Sequence, residues 1–337
     1  MKVLITGGAG FVGSHLCDSL ISQGHQPIIF THDTKKTQNI SHILDKIVLE
    51  NVDVTDSLNL EKKILEIAPD IIFHLAGQTS HKLSFENSLY DVDVNAKSTL
   101  AILETLRKSN LNSRFILGST FVVIGKPEHL PVNEESTCNP TSIYGANRLA
   151  SENYCKIFNQ VYGLDTVTFR ITNSFGPREQ YLTSGKNAIN FLIYNAFKGN
   201  DITIYNQGNF FRDVIYIDDV IPALDVLMNK GKKGELYWIS SNNKTWFYKI
   251  GKILKEKTQG NVIYGDATEY NKKVDVGNFI VDNSKLKSLG WNPNTSLETG
   301  ISKTIEYFST LNWISLFSLS FRYNFFSGIF TKFFNKA

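Results

Sequence analysis

The chain has 337 residues, of which 42% are apolar and 20% charged, ordinary values for a globular protein. That length is too great for one small core and suits one large or two fused units. The net charge is +3 and no dense Lys/Arg block precedes the tail, which gives no support to a nucleic-acid partner.

The N-terminus, "MKVLIT", runs straight into glycines. It lacks the longer apolar run and small-residue cleavage site of a signal peptide, so a cytoplasmic location is expected. Residues 2–6 are a short β-branched run, the pattern of a buried parallel strand. From Gly13 to about Gln23, Leu16, Leu20 and Ile21 recur at helical spacing, and "PIIFT" (27–31) completes a βαβ unit. "KIVLE" (46–50) is strand-like, and 57–67 reads as a helix with Leu60, Ile64 and Ile67 on one side. "DIIFHLA" (70–76) is a strand. A long helix over 88–108 presents Leu89, Val92, Ala96, Leu100, Leu103 and Leu106 on one face. "RFILGS" (114–119) is a strand, a helix runs from Tyr144 through Phe158, and "DTVTFRIT" (165–172) is another strand.

This alternation predicts an α/β fold with a Rossmann-type, doubly wound parallel sheet over residues 1–172. Beyond 173 the rhythm loosens, with helices near 187–198, 217–229 and 246–257 and a strand at "DITIY" (201–205). A smaller substrate lobe is expected over 173–310, free to interleave with the first part. The tail, 311–337, is dense in Phe, and Arg322 interrupts its apolar run, so a spanning helix is not expected. It reads as an interfacial helix on a membrane surface, or as a segment packed on a partner subunit or on its own body. Cys17, Cys138 and Cys155 lie far apart without metal-ligand spacing, which fits reduced thiols and no metal site.

"TGGAGFVG" (6–13) places Gly7, Gly10 and Gly13 between a strand and a helix. Such a turn lets a pyrophosphate approach backbone amides at a helix N-terminus. In this context it predicts dinucleotide binding. The second strand normally ends in an acid that grips the adenosine ribose. Here that position holds Thr31, Asp33 comes two residues late, and Lys35 and Lys36 follow. NAD is the expected cofactor, and NADP is left open by Thr31.

With these motifs the sequence resembles the extended short-chain dehydrogenase/reductase family, in its nucleotide-sugar epimerase/dehydratase branch of UDP-glucose 4-epimerase type. The resemblance runs to about residue 308 through "TGGAGFVG", "VDVTD" (52–56), "HLAGQTS" (74–80), "DVNAKSTL" (93–100), "GSTFVVIG" (118–125), "YGANR" (144–148), "FRITNSFGP" (169–177) and "FRDVIYIDDV" (211–220). It implies a cofactor cradle of Gly7, Gly10, Phe11, Val12 and Gly13, with Thr31 at the ribose and Asp53 and Val54 bordering the adenine. Leu75, Ala76, Gly77 and Gln78 would lie along the dinucleotide, supported by Asn95. Thr120 and Tyr144 fall on the catalytic Ser/Thr and Tyr positions. Asn173 and Arg212 would hold the diphosphate of a nucleoside-diphosphate sugar, with Lys273 as a looser match. Family members commonly form homodimers through two long helices, which here would be those near 88–108 and 144–160.

The chemistry implied is proton removal from a sugar hydroxyl by Tyr144 as hydride passes to the cofactor, with Thr120 holding the same oxygen. Return of the hydride to the other face of the ketone completes an epimerisation, expected at C4. Two departures matter. The family's Tyr-x-x-x-Lys carries Arg148 at the lysine position, and the exchange keeps charge but changes geometry. Dehydratases place Asp-Glu directly after the catalytic Thr, whereas Phe121 and Val122 follow Thr120 here, which argues against water elimination. His74 reads as a core histidine, and His81 as a candidate for substrate contact. The alternatives are an NADPH-dependent nucleotide-keto-sugar reductase and a non-catalytic dinucleotide-binding sensor or scaffold.

Overall fold

A computed structural model describes residues 1–109, 111–183, 187–266 and 275–311. Seven strands form one all-parallel sheet: β1 (Lys2–Thr6), β2 (Gln26–Thr31), β3 (Val48–Asn51), β4 (Ile71–His74), β5 (Arg114–Thr120), β6 (Thr166–Ile171) and β10 (Leu236–Ile239). Their spatial order is β10-β6-β5-β4-β1-β2-β3. The expected doubly wound Rossmann sheet is therefore present.

Alternation along the strands feeds two separate cores. Val3 and Ile5 of β1, Phe73 of β4 and Ile116 of β5 enter one of them. There they meet Leu16 and Leu20 of α1 (Phe11–Ser22) and Leu224 and Leu227 of α8 (Ile217–Lys230). Leu4, Ile72, Phe115 and Leu117 point to the other face. Here α2 (Ser57–Ile67), α5 (Ser98–Ser109) and α6 (Ile143–Tyr162) cover them with Leu60, Ile102, Leu106 and Phe158. Both faces are buried, so the strands read as continuous apolar runs rather than as alternating ones.

The helix expected over 88–108 runs without interruption from Ser88 to Ser109 but carries a π-helical turn. It comprises α4 (Ser88–Val92), a π-helical turn (Asp93–Lys97) and α5. Side chains intrude on its ladder: Ser151 Oγ donates to Asn95 O at 2.6 Å and Ser98 Oγ donates to Val94 O at 2.5 Å. These bonds draw carbonyls off the regular i→i−4 pattern, and the extra residue bulges at Asn95. A short helix not anticipated from the sequence, α3 (His81–Glu86), precedes α4.

Beyond β6, three short strands form a second sheet in the order β11 (Lys244–Trp246), β9 (Phe211–Tyr216), β7 (Asn173–Phe175). β8 (Ile202–Tyr205) pairs with β12 (Val262–Gly265), flanked by α7 (Ala188–Phe197) and α9 (Phe247–Lys257). Between β9 and β11 the chain returns β10 to the main sheet beside β6. Among the described residues no helix is long and apolar enough to cross a membrane. The Phe-rich stretch 312–337 lies outside them.

Candidate active site

Strand order reverses between β1 and β4, so a crevice opens beyond their carboxyl ends. Gly7 stands at φ +73°, and a Cβ there would fall 2.8 Å from Ala76 N. Only glycine lets the turn lie against the segment after β4. Gly10 N donates to Gly7 O at 2.9 Å, and Gly10 caps α1 without any side-chain bond. The amides of Phe11, Val12 and Gly13 thus open the helix with no side-chain acceptor, an arrangement suited to an anion.

At the other end of the crevice Thr31 closes β2. Its Oγ1 donates to Asp33 O and accepts from Asp33 N, both at 3.3 Å. The Asp33 carboxylate accepts from Lys35 N at 3.0 Å and pairs with Lys36 at 3.4 Å. The Lys35 amide, foremost, holds that carboxyl below its usual range. Asp53 folds onto its own loop, accepting from Thr55 N at 2.9 Å and Thr55 Oγ1 at 2.8 Å, while Val54 beside it is buried.

Leu75, Ala76, Gly77 and Gln78 leave the end of β4, fastened to β1 through Leu75 N to Thr6 O at 3.1 Å and Ala76 N to Thr6 Oγ1 at 3.2 Å. Asn95, carried by the π turn, donates from Nδ2 to Gln78 O at 2.9 Å. Asp91 is fully buried and accepts from Gln78 Nε2 at 2.8 Å and Asn147 Nδ2 at 2.7 Å. This bridge between the loop and α6 escaped the sequence reading. Asn147 sits within the 144–148 motif, but nothing local marks Asp91 as its partner.

Ser142 Oγ caps α6 by accepting from Gly145 N at 3.1 Å, which starts the helix just ahead of Tyr144. The helix packs against β5 and the 3-10 turn Phe121–Ile124 that follows it. Thr120 Oγ1 accepts from Val122 N at 3.3 Å and caps that turn. Tyr144 is buried, and its ring meets the His81 ring edge-on at 5.9 Å. Burial holds His81 below its ordinary range, with Asp91 opposing.

Arg148 is only 3% exposed, and its Nη2 donates to Ala76 O at 3.0 Å. Its Nε and Nη1 are buried without a partner, as are Asn95 Oδ1 and His81 Nδ1. His74, by contrast, is fully satisfied between Thr6 Oγ1 at 2.7 Å and Ser98 Oγ at 3.1 Å, as a core histidine should be.

The second sheet holds the remaining candidates. Asn173 on β7 donates from Nδ2 to Asp213 O on β9 at 3.0 Å. Arg212 is buried, donates to Phe211 O at 3.1 Å, ion-pairs with Asp275 and lies 5.0 Å over the Phe210 ring. The sequence reading missed Asp275. It also missed Asp213, which accepts from Ser241 N at 2.8 Å and Asn242 N at 3.1 Å and whose carboxyl burial pushes up to about 6. Lys273 lies in 267–274, outside the described residues. Among the described residues no group of three or more His, Cys, Asp or Glu could hold a metal ion.

A model of the GDP-mannose 4,6 dehydratase family matches residues 4–304. A putative UDP-glucose 4-epimerase of Methanocaldococcus jannaschii is 32% identical over 312 residues, covering 92% of this chain and 99% of that one. The UDP-glucose 4-epimerase of Thermotoga maritima, solved with UDP-glucose, aligns with a TM-score of 0.85 at 30% identity over 92% of this chain and 99% of its own. The UDP-glucuronic acid 4-epimerase of Bacillus cereus, in complex with UDP-glucuronic acid and NAD, gives 0.81 at 26% identity over 92% and 100%. Further relatives, at 28 and 29% identity, carry dehydratase and decarboxylase names. A parallel sheet with a glycine turn at its switch point, together with a buried Tyr144 and Thr120, is the arrangement of a dinucleotide-dependent enzyme fold. The chain belongs to the GDP-mannose 4,6 dehydratase family, within the extended short-chain dehydrogenases/reductases that act as NAD-dependent nucleotide-sugar epimerases and dehydratases.

Proposed function

We propose that the chain is a nucleoside-diphosphate-sugar epimerase acting at C4 through a keto intermediate, with NAD as its resident cofactor. The observation that carries this reading is the pairing of buried Thr120 and Tyr144 with an apolar turn directly after Thr120. A 4,6-elimination needs an acid and a base at the neighbouring carbons. Phe121, Val122, Val123 and Ile124 offer neither, and the last three are buried in the core.

The residues present fit a dinucleotide. The uncapped amides at Phe11, Val12 and Gly13 suit its pyrophosphate, and the unpartnered Arg148 Nε and Nη1 and Asn95 Oδ1 await polar atoms further along. NAD supplies, when bound, a reversible two-electron acceptor beside the sugar. Tyr144 takes the proton of the sugar's 4-hydroxyl at its phenolic oxygen. Arg148, one helical turn on, stabilises the charge that develops there. Thr120 Oγ1 donates to the same sugar oxygen and steadies the carbonyl. Arg212 and Asn173 hold the diphosphate, so the freed hexose turns while the nucleotide stays anchored. Burial around Tyr144 excludes water from the ketone.

We further propose a homodimer. Leu89 is 81% exposed on α4 and Val161 65% on α6, and such apolar side chains suit an isologous helix-on-helix contact.

A second reading, a keto-sugar reductase using NADPH, is favoured by Thr31 together with the nearby Lys35 and Lys36. Mass spectrometry of the small molecules freed on denaturing the purified protein separates the two, with NAD expected. Incubation with UDP-glucose in D2O, without added reductant, then tests the reaction. The C4 epimer without deuterium at C5 or C6 is the expected result. NADP among the freed molecules, or turnover only when a nucleotide-linked 4-keto-sugar is supplied with NADPH, supports the reductase, and deuterium at C5 with loss of the 6-hydroxyl overturns C4 epimerisation in favour of dehydration.

A further inference from the structure

Two walls of the site meet at one buried carboxylate. Asp91, on α4, accepts from Gln78 Nε2 at Oδ2 (2.8 Å) and from Asn147 Nδ2 at Oδ1 (2.7 Å). Gln78 belongs to the loop that follows β4, and Asn147 stands on α6 between Tyr144 and Arg148. The Gln78 side chain is itself closed onto the loop, donating to Ser80 O at 2.8 Å and accepting from Ser80 N at 2.5 Å. Asp91 thereby joins the whole turn 78–80 to the helix that carries the acid/base tyrosine.

The choice of a carboxylate is telling. The buried acid Glu152 is set against Arg170, and Asp165 against Arg114. Among the described residues Asp91 has no such ion pair, only the two neutral amides. Burying a charge is unfavourable, and an apolar side chain would fill the same space without that penalty. What it could not do is accept from two amides at once, as a carboxylate does. Each element also has anchors of its own. Thr6 holds the amides of Leu75 and Ala76, Asn95 Nδ2 donates to Gln78 O, and Ser142 caps α6. Loss of Asp91 therefore leaves loop and helix formed and frees only their placement relative to each other.

We infer that Asp91 is a positioning residue for the proposed reaction: by tying the loop after β4 to α6, it fixes where the Tyr144 phenol stands over the crevice. Fully buried, it offers no surface to substrate or cofactor. The assignment rests on the reading of the active site given above. Misplacement of a reacting group by about 1 Å costs on the order of 10²-fold in rate, so the effect belongs in kcat and not in KM.

The full chain with its copurified dinucleotide is compared with Asp91→Ala, Asn147→Ala and Asp91→Asn. Turnover of UDP-glucose is expressed per bound dinucleotide, so unfolded molecules do not count. Each alanine variant should lower kcat at least tenfold, with KM and dinucleotide content within about threefold of the parent. Asp91→Asn should restore at least a third of the parent kcat. Its Oδ1 still accepts from Gln78, and its Nδ2 donates to Asn147 Oδ1 once that half-buried amide turns over. Hydrogen exchange in the peptide containing Ser80 reads the bridge without turnover. It should quicken at least fivefold in Asp91→Ala and return in Asp91→Asn. If Asp91→Ala does not fold, Asn147→Ala carries the kinetic comparison. Alanine variants within twofold of the parent kcat, an Asp91→Asn protein as slow as Asp91→Ala, or unchanged exchange at Ser80 each overturns the assignment and leaves the active-site reading standing. A parent that turns over no UDP-hexose overturns that reading, and the assignment falls with it.

Discussion

The guanidinium of Arg148 fills the space that a side chain on Gly77 would need: a Cβ there would fall 1.9 Å from Nη2 and 2.8 Å from Asn95 Oδ1. The larger head at the usual lysine position is thus seated under a glycine and anchored by Ala76 O at 3.0 Å. Gly77→Ala should expel the guanidinium and lower retained dinucleotide at least tenfold, measured as NAD per protein after gel filtration. Lysine has no fork at that point, so the same change should cost far less in an Arg148→Lys background. A double-mutant cycle on dinucleotide content and turnover checks the coupling, and additive losses would show that the two residues act independently.

How much was legible depended on where each instruction lies. Runs such as 2–6 and 114–119 are apolar because both faces of the sheet are covered, and this shows locally. β10 is four residues, and β7 and β11 three each; they become strands only through pairing with distant partners. The π turn at Asn95 meets Ser151, far along the chain, so the sequence reads there as regular α-helix. In the site, Thr120, Tyr144 and Arg148 stand in compact strings, whereas the partners of Gln78 and Arg212 are Asp91 and Asp275, which no short window connects.

Tyr144→Phe keeps the ring contact with His81 and removes only the acid/base oxygen. kcat should fall by about 10²–10⁴-fold with little change in melting temperature. Thr120→Val should lower kcat and also cost about 1 kcal/mol, because Val122 N loses its acceptor at 3.3 Å. Steady-state kinetics beside urea unfolding of each variant separates the two effects.

Arg212 is assigned to binding rather than to the reacting carbon. Arg212→Ala should raise KM for the nucleotide sugar by roughly 10–100-fold and leave kcat within a few-fold. Loss confined to kcat in initial-rate measurements would move this residue into the chemical step.

Leu89→Glu together with Val161→Glu places charge on two apolar positions that are 81% and 65% exposed. If they meet a second copy, the double variant should sediment as a monomer where the parent is a dimer, with its helical circular dichroism unchanged. A parent protein that is monomeric at micromolar concentration in analytical ultracentrifugation removes the proposal.

His74 should leave its mark on stability in acid. Thr6 Oγ1, which accepts from Ala76 N at 3.2 Å, lies 2.7 Å from Nδ1 and donates to it when the ring is neutral and protonated at Nε2. Ser98 Oγ donates to Val94 O at 2.5 Å and so accepts from Nε2 at 3.1 Å. Burial, aided by the Arg148 charge, disfavours the charged ring and pulls its pKa from 6.5 down to about 3. Between those values the unfolded chain binds a proton that the folded chain refuses. Stability therefore rises with pH through this window, is fully present above about 6.5 and is lost as pH falls, by on the order of a few kcal/mol. His15 and His81 are also depressed and act with the same sign, while the raised carboxyl of Asp213 opposes them. Only a difference between proteins isolates His74. His74→Gln should lower stability at pH 7 yet flatten the slope of unfolding free energy between pH 6.5 and 4, measured by urea titration at each pH. An unchanged slope would assign the acid sensitivity to other groups.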